Sequence, residues 1–308
     1  MPKYLIIVNP AAKSGRASDL IPTIKSGFAG QDYELFLSES PGHPKELVLS
    51  RADNNTEYVI AVGGDGTTGE VVNGIMSLEK DKRPALGIIS AGSGNDAVRG
   101  FGLPTHTQEA VTTILTGTTR LFDVGRVNDR YFASSFSIGL DANVVEQTLE
   151  YKEANGWSGL RLYYTSLMKV IFTKLQPIEL DIQHLDHDKE EGAEKNCRAN
   201  VLLCATTNGH TYGGGIPINP DAESDNGRLA FAWVDSLSFP ETMLRLPLIV
   251  TGKHRNLKAY HRNEIKNAVV QSSNGTKLTA QTDGELFWDT SFKVELFPGE
   301  LEVLVPAD

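Results

Sequence analysis

Residues 57–75 read EYVIAVGGDGTTGEVVNGI, an apolar strand-like run, a glycine-rich turn and a helical stretch with no spacer between them. The run EYVIAV suits a buried strand. Gly63, Gly64 and Gly66 let the backbone approach a ligand closely and take positive φ. The helix that follows carries Thr67, Thr68 and Glu70 in its first turns, and its N-terminus offers free N–H groups and partial positive charge to a phosphate. Asp65 would repel that phosphate unless a cation stood between them, so the loop implies Mg2+, directly or through water. The alternative is a plain tight turn. The pattern is neither G-x-x-x-x-G-K-[ST] nor G-x-G-x-x-G.

Two neighbouring loops follow the same logic. The strand ALGIIS ends in Ala91-Gly92-Ser93-Gly94-Asn95-Asp96, where another helix begins. Ser93 offers a hydroxyl to phosphate or ribose, and Asn95 and Asp96 can cap the helix or face the ligand. The first strand, YLIIV, runs into Asn9-Pro10-Ala11-Ala12-Lys13-Ser14-Gly15-Arg16. Helical stretches near 16–28 and 43–53 alternate with these strands and with YELFLSE. Apolar strands separated by helices predict an α/β domain with a mainly parallel sheet covered on both faces. Loops at the carboxyl ends of such strands converge on one crevice.

From about residue 120 the texture changes. RLFDVGRVN, RYFASSFSIGL, IELDIQHL, RANVLLCATT, RLAFAWVD, AVVQSS, KLTAQTD and FKVELFP read as closely spaced strands. They predict a β-rich second domain of sandwich type, interrupted by helices at about 143–174 and 240–259. The expected division is 1–122 for the nucleotide domain, with a tail at 292–308 returning to it, and 123–291 for the β domain. HLDHDKEEGAEKN, residues 184–196, reads as a charged hairpin loop.

The 308 residues carry a net charge of −10, which argues against a nucleic-acid footprint. Cys197 and Cys204 are seven apart, on opposite faces of a strand, and predict two reduced thiols. The N-terminus enters a strand at once, and no apolar run approaches the roughly 20 residues of a membrane span. The expectation is a cytoplasmic protein without a signal peptide.

With these segments in view, the chain resembles the diacylglycerol kinase catalytic-domain family, in particular its compact bacterial lipid kinases. GGDGT is shared with NAD kinases and sphingosine kinases. The ordered series NPAAKSGRA, GGDGT, GSGND, FDVGRVN, FSIGLDA, PINPDAESDNGRLAF and TDGELF is what carries the resemblance. It implies ATP lying against Asn9, Pro10, Lys13, the loop residues Gly64, Asp65, Gly66, Thr67 and Glu70, and the second-loop residues Ser93, Asn95 and Asp96. Ser38 or Ser40 would add a further contact. It implies that Asp65 works through Mg2+ and that Asp96 and Asp123 support the site, with Asp123 counted among the catalytic residues. Asp283-Gly284-Glu285 would come from the β domain, with Glu285 as the base for a lipid hydroxyl and Asp283 ordering metal or acceptor. From the residues alone, Asp-Gly here could equally be a hairpin turn.

The chain departs from the family pattern at three places. Ser93 stands where threonine is usual, and Lys13 where glycine is common. A second, structural metal site that relatives build on an Asp-Asp-Gly turn reads Ser224-Asp225-Asn226-Gly227, leaving Asp225 and Asn226 as metal candidates.

A lipid acceptor, diacylglycerol or a related lipid, implies transient contact with the inner membrane surface. Residues 155–175 mix Trp157, Tyr163, Tyr164 and Phe172 with Arg161, Lys169 and Lys174, which suits an interfacial helix or a domain-packing one. The run from Arg245 to Arg262 is locally basic and could meet anionic headgroups or be a solvated face. The family also admits a homodimer paired through the β domain. The competing functions are a kinase for a sphingoid or other acceptor and a nucleotide-binding regulatory protein without turnover. A serine hydrolase lacks its G-x-S-x-G elbow.

Overall fold

The computed structural model describes residues 3–15, 17–92, 94–155, 159–174, 176–190 and 192–307, with positions 13, 14, 153, 159 and 160 described by backbone alone. Ser93, Trp157 and the Lys13 side chain therefore lie outside the described residues.

The first half runs β1 (Lys3–Val8), α1 (Ala12–Gly15), α2 (Ile21–Gly27), β2 (Asp32–Leu37), α3 (His43–Arg51), β3 (Thr56–Gly63), α4 (Asp65–Met76), β4 (Ala85–Ser90), α5 (Asp96–Gly100) and α6 (Thr107–Thr116). Strands β2, β1, β3 and β4 lie side by side and all parallel. Side chains alternate faces along a strand. Leu5, Ile7, Val59 and Ala61 enter one core beside Val71 and Val72 of α4, while Tyr4, Ile6, Ile60 and Val62 enter another beside Ile24 of α2. Helices on both faces are the reason these strands read as unbroken apolar runs.

The second half comprises β5 (Thr118–Val127), β6 (Arg130–Phe132), β7 (Ser135–Gly139), α7 (Leu140–Asn155), α8 (Gly159–Thr173), β8 (Ile178–Asp186), β9 (Lys195–Thr207), β10 (Leu229–Asp235), α9 (Phe239–Val250), β11 (Tyr260–Ser272), β12 (Leu278–Thr282), β13 (Glu285–Asp289) and β14 (Ser291–Val305). It is β-rich, and its pairs among β7 to β13 are antiparallel. Phe132, Phe136, Phe231 and Phe292 fill its core. Strand β14 is shared between the halves: its start pairs with β11, it pairs with β5 from Val294 to Val305, and near its end Val303 touches Leu86 of β4.

Two local features differ from the sequence reading. The helix expected to reach residue 259 ends at Val250, because Gly252 turns at φ +71 and the N–H groups of Gly252 and Lys253 close back on Ile249 and Leu248. His184 and Asp186 belong to β8 rather than to a loop, and His184 is buried against Phe231 and Trp233.

Candidate active site

A cavity of about 610 Å3 lies between the two halves. The carboxyl ends of β1, β2, β3 and β4 form one wall, and α7, α8 and the turn between β12 and β13 form the other. The sequence of each loop explains its position. Helix α4 starts immediately after β3, and no side chain caps it, so the N–H groups of its first turn face the cavity. Asn9 ties the first loop down: its Nδ2 donates to Thr67 Oγ1 at 2.9 Å and its Oδ1 accepts from the Ala11 N–H at 3.0 Å. The two glycine loops touch backbone to backbone, since a Cβ at Gly92 would stand 2.6 Å from the Gly64 Cα. Pro10, Ser40, Gly66 and Glu70 line the same wall.

Asp65 has a partner that the sequence did not suggest. Its Oδ1 accepts the Ala97 N–H at 3.1 Å, so it caps α5 from the neighbouring loop. Asn95 and Asp96, read as cappers of that helix, make no capping bond. Asn95 instead accepts from the Ser90 hydroxyl. Asp96 reaches across the cleft to the N–H groups of Gly214 at 2.7 Å and Gly215 at 2.9 Å. Burial pushes the Asp65 carboxyl up to about 6, helped by the charge on Asp96.

Asp283 enters from the β12–β13 turn with φ +47. Its oxygens collect three backbone N–H groups, from Ala133 at 2.8 Å and from Ser134 and Ser135 at 2.9 Å. Burial still raises it to about 7, because desolvation of the charged form outweighs those three donors. Glu285 follows two residues later, its carboxylate without a hydrogen bond to another described residue; desolvation raises it and Arg130 pulls it back. Its Oε1 lies 3.0 Å from where a Cβ on Gly66 would be, so it faces the start of α4. The turn is therefore a hairpin and part of the cavity wall at once.

Asp123 is placed outside the cavity lining. Its carboxylate accepts the Gly227 N–H at 2.7 Å and the Gly299 N–H at 2.9 Å, pinning one turn and the bulge in β14. Asp225 pairs with Arg120, and Asn226 Oδ1 is buried without a partner. Among the described residues no group of three or more His, Cys, Asp or Glu side chains is arranged to hold a metal ion.

Sequence reasoning gave no site role to Asp141, Gln281 or the glycines at 213–215 and placed Tyr163 on an interfacial or packing helix; the structure brings all of them to the cleft. The run of three glycines was the available signal; each takes positive φ.

The raised carboxyls have a consequence for stability. Asp65 and Asp141 stand at about 6 and Asp283 at about 7, each above an unfolded value near 3.8. The folded chain thus holds protons that the unfolded chain has released, and the stability they contribute is complete below about pH 4. It is lost as pH rises through 6 to 7. The melting temperature of the nucleotide-free protein is expected to fall between pH 5 and pH 8. Thermal denaturation across that range checks it, and a flat or rising profile would contradict the burial of these groups.

Comparison with known proteins agrees with this two-part fold. The diacylglycerol kinase catalytic domain matches residues 3–127, and the YegS C-terminal NAD kinase beta sandwich-like domain matches residues 134–305. A protein named diacylglycerol kinase from Staphylococcus saprophyticus is 28% identical over 282 residues, covering 91% of this chain and 88% of that one. One named probable lipid kinase YegS-like from Chromohalobacter salexigens is 28% identical, covering 98% and 93%. The crystal structure of a diacylglycerol kinase from Bacillus anthracis matches in fold with a TM-score of 0.70, at 23% identity, covering 99% of this chain and 97% of that one. The chain belongs to the lipid kinase family built from these two domains.

Proposed function

We propose that this lipid kinase moves the γ-phosphate of ATP, with Mg2+, onto the hydroxyl of a diacylglycerol-like lipid. The observation that carries the reading is the meeting of an uncapped helix N-terminus at residues 64–67 with the unpartnered carboxylate of Glu285 inside one cavity. The phosphates would lie against the N–H groups of that helix start and near Asn9 and Thr67. The lipid hydroxyl oxygen would bond to the γ-phosphorus as the bond to the β–γ bridging oxygen breaks and ADP leaves. Its proton passes to Glu285.

The residues fit a divalent cation. Asp65, Glu70, Asp96, Asp141, Asp283 and Glu285 line the cavity, against Lys152 as the sole lysine or arginine lining it among the described residues. ATP brings further negative charge to that acidic surface. Glu70 Oε2 is buried without a partner among the described residues and the charge on Glu285 repels it, so Glu70 has an oxygen to offer a cation. Mg2+, when bound, would neutralise charge on the phosphates. Asp65 and Glu70 would hold it together with the phosphates, since no three acidic side chains are set as a metal site by themselves among the described residues.

The acceptor's chains would lie along Val145, Leu149 and Leu162. Leu149, Tyr164, Phe172, Phe239 and Leu244 are exposed on α7, α8 and α9, with the Phe172 and Phe239 rings 5.1 Å apart. These apolar groups suit transient contact with a bilayer. No helix among the described residues is long and apolar enough to cross one. The basic run is a weaker candidate, since Arg255, His261 and Arg262 face Asp221, Asp235 and Glu264.

Incubation with labelled ATP, Mg2+ and mixed micelles of candidate lipids tests the reading. Phosphorylated lipid is expected only when ATP, metal and lipid are all present. ATP binding with no lipid product would favour a regulatory nucleotide-binding protein instead.

A further inference from the structure

Away from the glycine loops, the cavity wall holds a carboxylate that the transfer step does not use. Asp141 opens α7 and is 3% exposed. Its Oδ2 accepts the Ser137 hydroxyl at 2.6 Å and Gln281 Nε2 at 3.0 Å. Among the described residues its Oδ1 has only the Tyr163 hydroxyl, at 3.5 Å. No cation forms a salt bridge with Asp141 among the described residues, and the carboxylate nearest it in effect, Asp96, is repulsive. A buried carboxylate oxygen so weakly served is costly, because its desolvation is uncompensated.

Three features aim that oxygen at a ligand. Asp141, Tyr163 and Gln281 all line the cavity. A Cβ at Gly213 would stand 2.7 Å from the Tyr163 hydroxyl and 3.5 Å from Asp141 Oδ1, so glycine keeps the space before the carboxylate open. Gln281 fixes its distance from the reacting centre: while its Nε2 donates to Asp141, its Oε1 accepts the Gly284 N–H at 2.8 Å, one residue before Glu285.

We infer that Asp141 is a specificity-determining residue, and that the acceptor is a lipid alcohol with a second hydrogen-bond donor, a hydroxyl or an amino group, beside the hydroxyl that is phosphorylated. This rests on the phosphoryl transfer to a lipid hydroxyl proposed above and moves its acceptor from diacylglycerol itself to a related lipid. Diacylglycerol has one hydroxyl, which must face Glu285, and two esters, which only accept hydrogen bonds. Ester oxygens at Asp141 would meet a negative oxygen with no proton between them. Ser137, Gln281 and Tyr163 all direct donors at Asp141, which favours its ionised, accepting form; its carboxyl, at about 6, is mainly ionised at pH 7.5. A second O–H or N–H on the acceptor would complete the set.

The test compares three acceptors in mixed micelles with ATP and Mg2+: a monoacylglycerol with a free 2-hydroxyl, its 2-O-methyl ether, and a 1,2-diacylglycerol. The ether keeps the oxygen and removes only the donor. The wild-type kcat/KM for the free hydroxyl is expected to exceed both others by roughly tenfold or more, the scale of a hydrogen bond to a charged group. Asp141→Asn, checked for folding by its melting curve, should narrow that ratio several-fold, because the charge that strengthens the bond is gone. Equal wild-type turnover of all three overturns the inference and leaves the lipid kinase reading standing. So does an Asp141→Asn variant that depresses all three alike, which would make Asp141 structural. If no lipid is phosphorylated, the kinase reading fails and this inference with it. Should the variant not fold, the wild-type comparison decides alone.

Discussion

Glu285→Gln is expected to abolish lipid phosphorylation while leaving ATP binding close to wild type. Glutamine has nearly the same shape and cannot take the acceptor's proton. Removing a positioned general base typically costs 10²- to 10⁴-fold in rate, so kcat should drop by about that much. The fold should tolerate the change. The Glu285 carboxylate has no hydrogen bond to another described residue, so no donor of a neighbour loses its acceptor, and the new amide faces the cavity. It also removes a negative charge near the helix start that would hold the phosphates, which works in favour of ATP rather than against it. Calorimetric ATP titration beside the rate measurement separates the two effects. A tenfold or larger loss of ATP affinity would mean that Glu285 binds nucleotide, directly or through the metal, more than it accepts a proton. The pH profile gives a second check. Desolvation raises Glu285, so the wild-type rate should fall as pH drops through that raised value, and the variant's residual rate should lose that limb.

Much of the first half was legible because each signal was local. Val59, Ile60, Ala61 and Val62 are buried on alternating faces, and a strand covered by helices on both sides needs an unbroken apolar run. The glycine loops were legible for the same reason, since α4 follows β3 without a spacer. What stayed hidden depended on contacts between distant segments. Asp65 caps a helix 32 residues later, and Asp96 bonds a loop 118 residues away; neither local sequence carries a sign of its partner. Asp123 is the reverse case. Its segment follows the family's order, yet its carboxylate turns from the cavity to the Gly227 and Gly299 N–H groups, a direction set by where β14 returns. Asp141 sits in FSIGLDA, a segment that carries the resemblance without a sign of what faces it, and only the juxtaposition with Gln281 and Gly213 makes it a site residue.

Asp65 offers the prediction in which stability and activity part company. Asp65→Ala removes the acceptor of the Ala97 N–H and leaves the start of α5 facing a void. Unpaired buried donors cost about 1–3 kcal/mol, and α5 also carries Asp96, whose bonds to Gly214 and Gly215 join the halves. This variant should melt earlier than wild type and transfer no phosphate. Asp65→Asn keeps an oxygen for Ala97 and removes the charge. Holding Asp65 ionised at pH 7.5 against a carboxyl at about 6 costs the fold roughly 3 kcal/mol, and the neutral amide escapes that cost and the repulsion from Asp96. Its melting temperature at pH 7.5 should equal or exceed that of wild type. Its transfer rate should still fall at least about 10²-fold, because in the proposed transfer that carboxylate would hold Mg2+ against the phosphates. Melting curves and Mg2+-dependent rates on both variants decide between two roles. If Asp65→Asn kept more than about a tenth of the rate, the capping bond to α5 would be the whole function of Asp65, and the metal would have to be held by Glu70 and the phosphates.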